Sequence, residues 1–128
     1  MALITEVFPH SQLPGSLELA FVGDSVYDLY VRSRLVKQGG RVNDLNRKAV
    51  AKVKAAAQSQ SLTRIEPLLT EDELSIVRRA RNAKQTPTKN STLEDYRSAT
   101  ALEALIGYLY LTNQSDRLAE LIARATDM

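Results

Sequence analysis

Apolar residues recur every three or four positions along most of the chain, and no stretch shows the strict alternation of a half-buried strand. That period predicts helices throughout. A first long helix over 16–38 follows Pro14 and Gly15 and ends at Gly39 and Gly40, where glycine stops a helix cheaply. A second helical stretch starts near Asn43, a good N-cap, and runs with weakening period towards Ile65, with a possible break around 59–61 and a stop at Pro67. Thr70 and Glu73 have the spacing of a capping box for a helix that finishes in the cations Arg78, Arg79 and Arg81, which suit a helix C-terminus. The polar segment 82–90, NAKQTPTKN, reads as a loop. Ser91 and Glu94 are placed to cap a helix over 93–111, and Ser115 opens a last one. There is no repeat and no linker, so residues 1–128 read as one all-α domain, a helical bundle.

Two of these helices carry acids where the pattern calls for apolar residues. At 100° per residue, Leu17, Ala20, Phe21, Asp24, Asp28, Val31 and Leu35 share one face of the first helix. Leu19, Val22, Val26 and Leu29 make the opposite face apolar too, so this helix is expected at the centre of the fold, with Asp24 shielded from solvent. The segment 99–111, ATALEALIGYLYL, holds a single charge, Glu103, beside Tyr96, Ala99, Ile106, Gly107 and Tyr110. Gly107, one turn on, allows a second helix backbone to come close. Two such helices in contact could bring Asp24 and Glu103 together, and facing carboxylates repel or share a proton unless a cation lies between them. The spacing is equally consistent with each acid pairing with one of the 17 Lys and Arg side chains.

Composition narrows the chemistry. With no cysteine and one histidine, a metal would be held by oxygen, which favours a hard cation such as magnesium. No run approaches the roughly 20 apolar residues of a membrane span, and residues 1–10 lack a signal-peptide pattern, so a cytoplasmic protein is expected. Net charge is only +2, yet between Arg41 and Lys89 eleven Lys or Arg stand against five acids. Such a tract can bind phosphates, and an ordinary solvated surface also accounts for it. His10 reads as surface. Tyr27, Tyr30, Tyr108 and Tyr110 read as core or subunit contacts, and Asp28 is ambiguous.

The segment 17–35, LELAFVGDSVYDLYVRSRL, resembles the signature helix of the ribonuclease III family, approximately E-R-L-E-F-L-G-D-[AS]-V-L, with Phe21, Gly23, Asp24, Ser25 and Val26 in step. TALEALIGYLYL is similar to the family's second motif, approximately D-x-x-E-A-L-x-G-x-x-Y-L, through Glu103, Ala104, Leu105, Gly107, Tyr110 and Leu111. The departures are informative. Glutamates of the family stand where this chain has Leu17 and Ala20, and its aspartate where this chain has Thr100. The reduced acidic set, a chain that stops where a duplex-RNA-binding domain would begin, and RARNAKQTPTKN over 79–90 are similar to the Mini-III branch.

That resemblance implies a magnesium-dependent, homodimeric endoribonuclease acting on double-stranded RNA, with Asp24 and Glu103 as metal ligands and catalytic residues. It further implies 5′-phosphate and 3′-hydroxyl product ends, and the precursor of 23S ribosomal RNA as substrate. The source would be a bacterial cytoplasm or a plastid stroma. Arg79, Arg81, Asn82, Lys84, Thr86, Lys89 and Asn90 are the implied RNA contacts, gripping phosphates and the A-form shape. The competing expectation is a catalytically silent domain of the same family that only binds duplex RNA or sits on the ribosome. A helical DNA-binding module lacks an evident recognition helix, and a di-iron bundle lacks its Glu-x-x-His pairs.

Overall fold

The computed structural model describes residues 6–84, 86 and 91–128. Among them the chain forms six helices: α1 Ser16–Gln38, α2 Val42–Val53, α3 Ala55–Ile65, α4 Glu71–Arg81, α5 Leu93–Leu111 and α6 Ser115–Thr126. Short 3₁₀ turns occupy His10–Gln12 and Glu66–Leu68, and no strand is present among the described residues. The all-α expectation holds, and α1 has the predicted bounds. It ends because Gly39 and Gly40 take φ of 93° and 131°, a region open to glycine but strained for other residues.

Three local expectations are corrected. The second helical stretch breaks at Lys54, not around 59–61, because Lys54 adopts extended backbone between α2 and α3. Asn43 lies inside α2, whose N-cap is Arg41. The cap of α5 is Thr92, whose hydroxyl accepts from Asp95 N at 3.1 Å, rather than Ser91.

The centre of the fold is α5. Its residues Ala101, Leu102, Ala104, Leu105, Ile106 and Leu109 are completely buried, and α1, α3, α4 and α6 pack around it. The expectation that α1 is enclosed on all sides is therefore wrong. It turns only the stripe Leu19, Ala20, Gly23, Tyr27, Val31 and Leu35 inward, while Leu17, Leu29, Val36 and above all Phe21, 81% exposed, face solvent. With one apolar stripe on α5 to meet, α1 can bury only one of its own.

Two glycines set how closely these helices cross. A Cβ at Gly23 would lie 1.7 Å from the carbonyl oxygen of Glu103, and a Cβ at Gly107 would lie 2.0 Å from that of Leu19. Each glycine therefore accepts the backbone of the opposite helix, an approach no other residue permits.

On the far side, the capping box of α4 forms as expected: Thr70 Oγ1 accepts from Glu73 N, and Glu73 Oε1 accepts from Thr70 N at 2.9 Å. The sequence did not disclose that buried Glu73 also receives Arg117 of α6 through both oxygens, at 2.8 and 2.9 Å. Burial works to raise the Glu73 carboxyl, but Arg117 and the cap bonds outweigh it and hold it below the usual range. Arg117→Met, which leaves this buried carboxylate without its cation, is expected to cost about 2 kcal/mol and to lower the melting temperature. An unchanged melt would mean the cap alone satisfies Glu73.

Candidate metal centre and active site

The glycine-mediated crossing of α1 and α5 places Asp24 and Glu103 side by side. Each acid flanks the crossing point: Asp24 follows Gly23, and the Glu103 carbonyl is the atom that Gly23 admits. Their side chains lie within hydrogen-bonding reach of one another. Asp24 is exposed, contrary to the expectation of shielding, because the inward stripe of α1 passes just beside it. Glu103 is half-buried beneath it. Burial first, and then the hydrogen bond and negative charge of Asp24, push the Glu103 carboxyl up to about 8, while the amide of Gln58 on α3 works against that rise.

Asp28 does not join the pair; it is held by Arg32 on the surface at 3.0 Å. Ala20 and Thr100, at the positions where the resemblance expects further acids, are buried one turn before Asp24 and Glu103. No group of three or more His, Cys, Asp or Glu that could hold a metal exists among the described residues. His10 stays at the surface as expected and meets Tyr108 Oη at 2.9 Å. Tyr27 and Tyr108 are core residues, and the Tyr27 hydroxyl donates to Ser61 at 3.1 Å.

The donor set fits a hard divalent cation. Two facing carboxylates supply oxygen ligands only, and such an ion commonly uses one or two protein carboxylates and keeps several waters. Asp24 and Glu103 are the residues able to hold it. Their mutual proximity raises the proton affinity of Glu103, and a cation between them removes that repulsion.

Without metal, the burial of Glu103 together with this repulsion gives stability a definite dependence on pH. Glu103 binds its proton more tightly in the folded chain, at about 8, than in the unfolded one, near 4.5. Below the lower value both states are protonated and nothing is lost. As pH rises through the interval the unfolded chain releases its proton first, so stability falls, and the loss is complete above the folded value. The melting temperature of metal-free protein is expected to drop between about pH 5 and about pH 9, and Glu103→Gln to flatten that drop. Parallel curves for the two proteins would contradict the geometry.

Five of the expected RNA contacts, Arg79, Arg81, Asn82, Lys84 and Thr86, lie at or just after the end of α4. Arg79 is exposed, its Nε reaching back to Ser75 O at 3.5 Å. Arg81 is half-buried and bonded to Glu66 at 2.7 Å, so its charge is already partnered. Asn82 caps α4, and Lys84 and Thr86 follow it, exposed. Lys89 and Asn90 lie outside the described residues. Arg81, Asn82, Glu66, Glu94 and Arg97 line an open cleft of about 600 Å³ between α3, α4 and α5. Within the wider basic tract, Lys48, Lys52, Lys54 and Arg64 gather around a second cleft of about 640 Å³.

What this geometry defines is a class: a single all-α domain with a facing pair of carboxylates suited to a hard cation. A family model described as the Ribonuclease III domain matches residues 17–114. A protein of Symbiobacterium thermophilum named Mini-ribonuclease 3 is 46% identical over 113 residues, covering 87% of this chain and 87% of that one. One of the same name from Thermoanaerobacter is 48% identical over 108 residues, covering 83% and 76%. The crystal structure of a Fusobacterium nucleatum protein matches with a TM-score of 0.79 at 37% identity, over 84% of this chain and 88% of that one. The chain therefore belongs to the ribonuclease III family, alongside its Mini-ribonuclease 3 members, and the protein is an endoribonuclease.

Proposed function

We propose that this endoribonuclease is magnesium-dependent, cuts double-stranded RNA as a cytoplasmic homodimer, and matures the ends of the 23S ribosomal RNA precursor. The observation that carries the reading is the Asp24–Glu103 pair, two carboxylates held together in a partly buried setting that disfavours their both being ionised without a cation. Asp24 offers its oxygens at the exposed mouth of the site and Glu103 from below. When bound there, a divalent cation supplies charge stabilisation for the scissile phosphate and eases deprotonation of an attacking water. Cleavage then leaves a 5′-phosphate and a 3′-hydroxyl. Survival of both acids beside neutral Ala20 and Thr100 supports a working enzyme over a silent domain.

The dimer is supported by the apolar residues that α1 leaves in water. Leu17, Phe21, Leu29 and Val36 fall within about 120° of arc and run past Asp24. A second copy on this face sets two sites along one duplex. No helix among the described residues is long and apolar enough to cross a membrane.

Incubating the protein with a structured ribosomal precursor RNA, with and without magnesium, tests the activity. Cleavage only with the metal, at paired segments, is the expected result; cutting confined to single strands overturns the substrate. The end of α4 gives a separate test. Neutralising exposed Arg79 or Lys84 is expected to weaken RNA binding and to reduce the slope of log affinity against log salt by about 1 for each phosphate that the variant no longer neutralises. Arg81→Ala is expected to act mainly on stability, because Glu66 already holds its guanidinium. A salt slope unchanged in the Arg79 and Lys84 variants removes them from the RNA interface.

A further inference from the structure

Among the described residues, a single buried side-chain polar atom lacks a hydrogen-bond partner, and it is Nε2 of Gln58. Gln58 is 2% exposed and shares the inward face of α3 with Ser61, Leu62 and Ile65. Burying an amide N–H without a partner costs about 1–3 kcal/mol, and cores seldom retain one without a use for it. An apolar side chain of similar size would fill the space without that cost.

The neighbours indicate the use. The Gln58 amide lies close enough to the Glu103 carboxylate to favour its ionised form, although Nε2 completes no hydrogen bond to it. The hydroxyl of Tyr27, which also lies near Glu103, is spent on Ser61. Gln58 thus holds an unspent donor close to Glu103. A neutral amide suits this place better than a cation, which would compete with the metal, or an acid, which would add a third negative charge.

We propose that Gln58 is a positioning residue for Glu103: its Nε2–H donates to one carboxylate oxygen when the site takes up a divalent cation, fixing the other oxygen towards the ion. This rests on the reading of Asp24 and Glu103 as metal ligands. Donors behind a ligating carboxylate orient it, and their loss commonly weakens metal affinity by about 10- to 100-fold.

The test is titration of RNA-free protein with manganese(II) alone, followed by electron paramagnetic resonance of the free ion, together with thermal melts. Wild type, Gln58→Met and Asp24→Asn are compared. Gln58→Met is expected to bind manganese at least about tenfold more weakly, with a metal-free melting temperature equal to wild type or higher. Equal affinity in wild type and Gln58→Met overturns the proposal and leaves the metal site standing. If wild type binds no manganese, or Asp24→Asn binds it as tightly as wild type, the metal-site reading fails and takes this inference with it. Gln58→Glu keeps size and reach while adding charge. It is expected to melt below wild type without metal and to gain more from manganese than wild type does; an equal gain counts against the role for Gln58 even if Gln58→Met does not fold.

Discussion

Asp24→Asn should lower the rate of RNA cleavage by at least about 100-fold while leaving fold and RNA binding nearly intact, because in the proposed site it removes a ligand charge at almost constant volume. Asp24 is exposed and packs little, so the substitution disturbs no core. Glu103→Gln should show a similar loss, with one difference. Glu103 is the half-buried member of the pair, and replacing it relieves the desolvation and repulsion that raise its pKa, so the metal-free variant is expected to melt higher than wild type. Single-turnover cleavage at saturating RNA, with binding measured in parallel, checks both. An Asp24→Asn enzyme that keeps more than about a tenth of wild-type turnover would place the reaction elsewhere, since loss of a metal-ligand charge should remove several kcal/mol of stabilisation.

Gly23→Ala is expected to have the largest effect on the fold. The added methyl would sit 1.7 Å from the Glu103 carbonyl oxygen, and because that atom is backbone, the only relief is for α1 and α5 to move apart. Overpacking usually costs about 1–3 kcal/mol, and a clash with a helix backbone belongs at or above the top of that range, which corresponds to a fall in melting temperature of roughly 10 °C or more. The same displacement separates Asp24 from Glu103, so manganese affinity should fall along with stability. Gly39→Ala provides the contrast. Unlike Gly23, it needs positive φ, but a Cβ there meets nothing within 4 Å, so the site should keep its metal affinity. A Gly23→Ala protein that melts like wild type would mean that the helices do not cross as closely as described.

Much of the fold was legible in the sequence. The 3.6-residue period placed α1, α4 and α5 well, since each carries strong punctuation: paired glycines after α1, a complete capping box before α4 and an apolar run in α5. The acids stood out for the same reason, as single charges in apolar runs, and Gly107 announced the close helix crossing. Less visible was everything set by partners distant in sequence. Lys54 breaks α2 from α3 with no proline or glycine to mark it. Arg117 reaches Glu73 across 44 positions, and Arg81 reaches Glu66 across 15, so neither pairing has a local signature. Gln58 did leave a trace: it stands four residues before Leu62 and seven before Ile65, a polar residue at core spacing, in a stretch of alanines and serines whose period is too faint to expose it. The shielding expected for Asp24 failed because periodicity shows how much of α1 is apolar, whereas α5 decides which part of it can be covered.

On the proposed dimer, the face of α1 that remains in water makes stability a matter of numbers as well as of sequence. Wherever a second copy covers Phe21 and its neighbours, association favours the folded state by mass action, and while the concentration stays well above the dissociation constant each tenfold dilution withdraws about 1.4 kcal/mol of that contribution. The melting temperature of such a protein is therefore a function of the concentration at which it is measured. In a cell that holds few copies, an enzyme assembled in this way works closer to its unfolding threshold than a concentrated preparation suggests.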